Sequence, residues 1–108
     1  MNKNIRYFLP NHYAKVVLRL SQKIAELAQH NDWQEALKLE AERHMAMQEL
    51  FSHPDINDAL PSMASILHEV MQLDAEVIVK GEIALKQMSM QLSEVGQGKR
   101  AVNAYLKT

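Results

Sequence analysis

Apolar side chains recur at helical spacing in three separate stretches of this chain. In the longest stretch, between Pro61 and Gly96, they fall three, four or seven positions apart, at Leu67, Met71, Ile78, Leu85, Met88, Leu92 and Val95. Such spacing places the side chains on one face of an α-helix. The pattern predicts a helix over residues 62–95, with a length of about 50 Å.

Two shorter helices precede it. The apolar pattern over residues 11–31 predicts a first helix that begins at Asn11, a residue type that favours the N-cap position. The pattern over residues 33–52 predicts a second helix. Asp32 stands before it with Glu35 three positions later, a variant of the capping-box signature.

Proline and glycine mark the expected ends of the third helix. Residues 53–61 contain two prolines and are predicted to form a loop. Gly96-Gln97-Gly98 is predicted to stop the helix and to permit a sharp reversal of the chain. The sequence thus predicts one domain over residues 1–96 and a C-terminal tail over residues 97–108.

The predicted helix lengths leave part of the third helix uncovered. A short connection between the first two helices and a loop before the third predict an all-α fold, an antiparallel three-helix bundle with a long third helix. Residues 82–95 would extend beyond the bundle and bind a partner through Ile83, Leu85, Met88, Leu92 and Val95. A helical tail folded back on this segment would regulate access through Val102, Tyr105 and Leu106.

Composition narrows the class of protein. A chain of 108 residues with 47% hydrophobic residues predicts a single globular domain. The net charge of −1 gives no overall electrostatic reason to expect nucleic acid or an anionic membrane as a partner. The absence of cysteine fits a reducing cytoplasm. No stretch is apolar enough to predict membrane insertion, and the first ten residues do not resemble a signal peptide.

Charge is distributed unevenly along the chain. Residues 1–25 carry five Lys/Arg and no acid, whereas residues 26–82 carry twelve Asp/Glu against three Lys/Arg. Residues 83–108 carry four Lys/Arg against one Glu. Two interpretations remain open: the basic first helix packs beside its acidic neighbours, or the acidic face binds a basic partner.

No catalytic or metal-binding motif is complete. His68-Glu69 begins the zinc-protease pattern HExxH, but Gln72 stands where the second histidine is required. The five histidines lack metal-ligand spacing. The glycines after residue 95 lack the strand, the spacing and the Ser/Thr of a phosphate loop. We therefore expect neither enzymatic activity nor a cofactor.

Three segments carry a resemblance to a known family: Asp32-Trp33-x-x-x-Leu37-x-Leu39-Glu40-x-x-Arg43, Leu73-Asp74 and Lys99-Arg100-Ala101-Val102-Asn103-Ala104-Tyr105. In this order they resemble the FliT family of flagellar export chaperones, and the resemblance runs from about residue 12 to residue 106. It implies a cytoplasmic chaperone that binds the C-terminal region of the filament-cap protein FliD, prevents its premature assembly and aids its delivery to the export apparatus. The export ATPase complex and the flagellar transcriptional activator are further partners that it implies, together with a C-terminal helix that regulates partner access.

Two alternatives fit the same pattern. The uncovered segment of the third helix could serve a helical adaptor that forms a homodimer, which a size measurement across concentration would separate from a monomeric chaperone. A regulator that sequesters the transcriptional activator would use the same binding chemistry and differ only in its partner.

Overall fold

The computed structural model describes residues 8–107. These residues form three α-helices and no strand: α1 (Pro10–Gln29), α2 (Trp33–Phe51) and α3 (Ile56–Lys107). The predicted all-α class is therefore confirmed. The predicted domain starts at residue 1, and residues 1–7 lie outside the described part of the chain.

The first two helices lie close to their predicted bounds. At the start of α2, the Asp32 carboxylate accepts a hydrogen bond from the backbone N–H of Glu35, at 3.3 Å, which confirms the predicted cap. At the start of α1, the predicted cap is wrong. Leu9 occupies the N-cap and Pro10 the first helical position, where its missing N–H costs no intrahelical bond. Asn11 instead donates from its side chain to Ser62 Oγ at 3.0 Å.

Both predicted ends of the third helix are wrong. α3 begins at Ile56, so the loop between α2 and α3 is much shorter than residues 53–61. Pro61 lies inside α3, near its N-terminus, where the lack of an N–H deprives only the Asn57 carbonyl of its helical partner.

The predicted break at residues 96–98 is also wrong, because α3 continues through both glycines to Lys107. No glycine within residues 8–107 has a positive φ. A glycine in a helix costs only about 1 kcal/mol relative to alanine, which a long run of helical residues on either side can offset. The tail is therefore the end of α3 in this structure and does not fold back.

The fold is elongated. Its longest dimension is 78 Å. A helix of 52 residues, such as α3, is expected to have the same length, about 78 Å. The radius of gyration is 21.4 Å, against about 13 Å for a compact domain of this size. α3 therefore spans the full length of the described structure, and α1 and α2 cover only part of it.

α1 is the central helix of the packed part. It packs closely against both α2 and α3, whereas α2 and α3 approach each other little along the described chain. α1 accordingly carries most of the buried positions, among them Ala14, Val17 and Ile24. Leu50 of α2 and Met63 of α3 are fully buried against Ala14 at the end of the molecule where α3 begins.

Candidate functional site

α3 loses its helical neighbours after Ala84. Gly81 and Ala84 are partly buried, but every residue from Leu85 to Lys107 is exposed except Gly96, which is intermediate. We call residues 85–107 the overhang. It extends about 35 Å as a helix. The prediction placed its start at residue 82 and its end at residue 95, so the exposed segment is longer than expected.

Four of the five predicted partner-binding residues share one face of the overhang. At about 100° per residue, Leu85, Met88, Leu92 and Val95 all point within about 40° of the direction of the buried Met63. Their side chains are 55–68% exposed. The overhang therefore continues the core-facing stripe of α3 past the end of α1 and α2, with nothing packed on it in the described structure.

The fifth predicted residue lies elsewhere. Ile83 points nearly opposite to Met63 and borders a shallow groove with Val79 and Lys80. Met90 lies on that same outer side of α3 and is as exposed as Met88, at 57%. The structure thus separates Ile83 from the other four residues.

An apolar groove of about 350 Å³ lies at the base of the overhang. It is formed where the start of α2 meets α3, and its lining residues are Trp33, Leu37, Gly81, Ala84, Leu85 and Met88. The Trp33 ring lies over Gly81 of α3, and a Cβ at that position would lie 3.7 Å from Trp33 Cη2, an ordinary contact distance. Trp33 Nε1 is buried without a hydrogen-bond partner among the described residues. The sequence patterns do not predict the place of Trp33 beside Leu85 and Met88.

Arg43 fixes the three helices relative to one another. Its guanidinium donates to Ser21 Oγ of α1 at 3.1 Å, to Glu40 of α2 at 3.0 Å and to Asp74 of α3. The Arg43 side chain is only 12% exposed. Partial burial acts to lower the pKa of Arg43, but the hydrogen bonds to Glu40 and Asp74 outweigh it and raise the pKa above its ordinary value. This charged link holds α2 at its distance from α3, and sequence patterns alone did not reveal it.

The three predicted tail residues extend the overhang. Val102 and Leu106 point to the same side of α3 as Val95, and they are 57% and 73% exposed. Tyr105 points to a different side and is 80% exposed. Thus two of the three residues prolong the apolar face on which Leu85 and Met88 lie.

Charge distinguishes the overhang from the packed part. The overhang carries four cationic residues against one anionic residue, Glu94. Residues 26–82, which include all of α2 and the first half of α3, carry twelve acidic residues against three basic ones. The overhang therefore presents an apolar stripe flanked by positive charge.

The described residues contain no group of three or more His, Cys, Asp or Glu side chains that could hold a metal ion. His53, the most buried histidine among them, has a structural role: its Nε2 lies 2.9 Å from the Phe8 carbonyl oxygen and its Nδ1 accepts from the Asp55 N–H. No helix within residues 8–107 is long and apolar enough to cross a membrane.

A long, exposed apolar face on an elongated helical fold is typical of helical proteins that bind other proteins. The sequence profile of one family, described as flagellar protein FliT, matches residues 12–107. The chain belongs to the FliT family. This membership supports a flagellum-related chaperone role, and the family is not known to include enzymes. Neither the curated proteins nor the solved structures contain a match to it.

Five of the residues that carry the family resemblance, all in its first two segments, have structural roles here. Asp32 caps α2, and Trp33 closes the groove against Gly81. Glu40, Arg43 and Asp74 form the charged link between the helices. These residues therefore build and orient the fold, and the exposed apolar face lies next to them.

Proposed function

We propose that this protein is a flagellar export chaperone that binds the C-terminal region of the filament-cap protein FliD in the cytoplasm. Bound there, it prevents premature assembly of the cap protein and aids its delivery to the export apparatus. The observation that carries this proposal is the apolar face formed by Leu85, Met88, Leu92 and Val95, which is exposed in a chain that belongs to the FliT family.

The contacts among the helices support an antiparallel bundle, on which this face would be mounted. Asn11 and Ser62 join the start of α1 to the start of α3, and Ala28 lies beside Lys80 near the end of α1. Trp33, at the start of α2, lies against Gly81. We infer that α2 runs opposite to α1 and α3, so that the overhang emerges beside the start of α2.

The size of the face suits reversible binding. Full burial of four large apolar side chains contributes on the order of 6–12 kcal/mol before the costs of association. Those costs are at least about 4 kcal/mol, which leaves at most about 8 kcal/mol, or micromolar affinity, for a partner helix laid along these four side chains. A chaperone that must release its cargo needs affinity in this range.

The same face would serve the other partners that the family implies. We propose that the export ATPase complex and the flagellar transcriptional activator compete with the cap protein for it, and that Val102, Tyr105 and Leu106 regulate this access. Because α3 is continuous, Val102 and Leu106 would act as part of the binding face and not as a cover folded over it.

Calorimetric titration of the full chain with the C-terminal segment of the cap protein tests the proposal. Met88→Glu should weaken binding by about ten- to a hundredfold, because it places a charge where a methionine is buried in the complex. Met90→Glu is the matched control: the residue, its exposure and the introduced charge are the same, but it lies on the opposite side of α3. Equal effects of the two variants, or no binding by the unchanged chain, would contradict the proposal.

A further inference from the structure

The outer side of α1 carries a row of cations. Lys15, Arg19 and Lys23 recur at intervals of four residues, and all three are exposed. At about 100° and 1.5 Å per residue, they lie on one side of α1 and span about 12 Å along it. No acidic residue precedes Glu26 in the chain. None of the three cations forms an ion pair within residues 8–107. We call them the cationic strip.

Acidic residues border the cationic strip on both sides. Glu35 of α2 lines a shallow groove with Lys23, and Glu76 of α3 lines a second groove with the last turns of α1. Glu42 follows Glu35 by seven residues, and Glu69 precedes Glu76 by seven, so each pair lies on one side of its helix. All four carboxylates belong to exposed residues. The packed part therefore presents a row of cations between two rows of anions.

We propose that the cationic strip binds an acidic helix of a partner protein, with a row of Asp or Glu on the side that faces α1 and Lys or Arg on both flanks. The carboxylates of this helix would pair with the cationic strip, and its flanking cations would meet the acidic rows of α2 and α3. Packed helices lie about 10 Å apart, so the three rows of charge are spaced closely enough for one helix to match them all.

The acidic rows argue against a broad anionic partner. A DNA duplex or an anionic membrane presents negative charge over an area wider than the cationic strip, and it would bring that charge onto Glu42 and Glu69. The net charge of −1 supplies no long-range attraction for such a partner. An apolar helix is also a poor match, because the exposed residues of α1 between His12 and Gln29 are all polar or charged.

The cationic strip lies apart from the overhang. Near the start of α1, Asn11 donates to Ser62 Oγ. Near the end of α1, Ala28 lies beside Lys80. A residue of α1 therefore lies level with the residue about 52 positions later in α3, which places Lys23 about 15 Å before the start of the overhang. A helix bound at the cationic strip would leave the apolar face of the overhang free, so the inference does not depend on the proposed cargo.

Fluorescence anisotropy with two labelled peptides tests the charge pattern. The patterned peptide is an alanine-rich helix of about 20 residues with a row of Glu on one side and a row of Lys on each flank. The scrambled peptide has the same composition and net charge but no rows. At low salt the full chain should bind the patterned peptide at least about tenfold more tightly, and added salt should weaken this binding, because the contacts are exposed ion pairs. Equal affinities, or no binding of the patterned peptide, would overturn the proposal.

Charge-reversed variants locate the binding site of the patterned peptide. Lys15→Glu/Arg19→Glu should weaken its binding by about tenfold or more, because two attractive contacts become repulsive. Lys86→Glu/Arg100→Glu makes the same two changes in the overhang and should weaken binding by less than about threefold. A loss of the same size in both variants would place the site elsewhere and refute the proposal. Lys15→Gln/Arg19→Gln adds no charge beside the acidic rows; it should weaken binding by about threefold or more and decides the question if the reversed variant loses helical signal.

Duplex DNA and vesicles of phosphatidylglycerol test the class of partner. At physiological salt the unchanged chain should bind neither of them. Glu42→Lys/Glu69→Lys removes one carboxylate from each acidic row and should bind duplex DNA measurably better, because the repulsion at the borders of the strip is reduced. If the unchanged chain binds DNA or the vesicles more tightly than the patterned peptide, the cationic strip serves a nucleic acid or a membrane and the proposal is wrong.

Discussion

The link between Arg43 and Asp74 should contribute measurably to stability, unlike an ordinary surface ion pair. Arg43→Met keeps most of the aliphatic stem but removes the charge and every hydrogen bond of the guanidinium. A hydrogen bond to a charged group contributes about 1.5–3 kcal/mol when it is buried. Asp74 and Glu40 are 39% and 44% exposed, so water replaces part of what each loses. We therefore expect Arg43→Met to lower the free energy of unfolding by about 2 kcal/mol in total.

A double-mutant cycle isolates the contact between α2 and α3. With Arg43→Met and Asp74→Asn, the coupling free energy should be about 1–2 kcal/mol, since the guanidinium is largely buried. The chain offers its own control: Glu35 and Lys38 form an ion pair at 3.5 Å within α2, and both side chains are about half exposed or more. Its coupling should be about 0.2–0.5 kcal/mol.

Urea unfolding at one low protein concentration gives both values. The single tryptophan, Trp33, reports on the packed part, where α2 meets α3, and circular dichroism reports on all three helices. The dependence of the free energy on urea should not change among the variants, which would show that stability alone has changed. A coupling for Arg43–Asp74 no larger than that for Glu35–Lys38 would refute the role of this link in holding α2 and α3.

Three further sets of substitutions test the structure at other points. Gly96→Ala with Gly98→Ala should increase the helical signal at 222 nm, because α3 passes through both positions without a positive φ; a decrease would indicate the reversal that the glycines predicted. Gly81→Ala should raise the free energy of unfolding by about 0.5–1 kcal/mol, since its methyl group meets Trp33 at an ordinary contact distance, and a loss measured by urea would show that the ring cannot accept it. Asp32→Ala should lower that free energy by about 1 kcal/mol through loss of the cap, whereas Asp32→Asn, which keeps the acceptor, should stay close to the unchanged protein.

The helical class and the start of α2 could be predicted from sequence because each depends on local signals. Apolar spacing and the Asp32 cap act within one or two turns. The ends of α3 could not be predicted in the same way, because Pro61 and Gly96 are local signals that the longer pattern overrides. Apolar residues at helical spacing continue through Val102 and Leu106, and this longer pattern is the better guide to the length of the helix.

The site was predictable only where it depends on one helix. Leu85, Met88, Leu92 and Val95 share a face by spacing alone, although Ile83, which was grouped with them, points to the other side. The groove at Trp33 and the link at Arg43 depend on which side of α2 meets α3. That choice is made by long-range packing against α1, and no pattern within α2 records it.

The exposed stripe imposes a condition on any function of this protein. A long helix with an uncovered apolar face is prone to non-specific association until a partner covers it. Leu85 and Met88, the residues proposed to bind cargo, lie on this face, so the bound cargo would also protect the chaperone from such association.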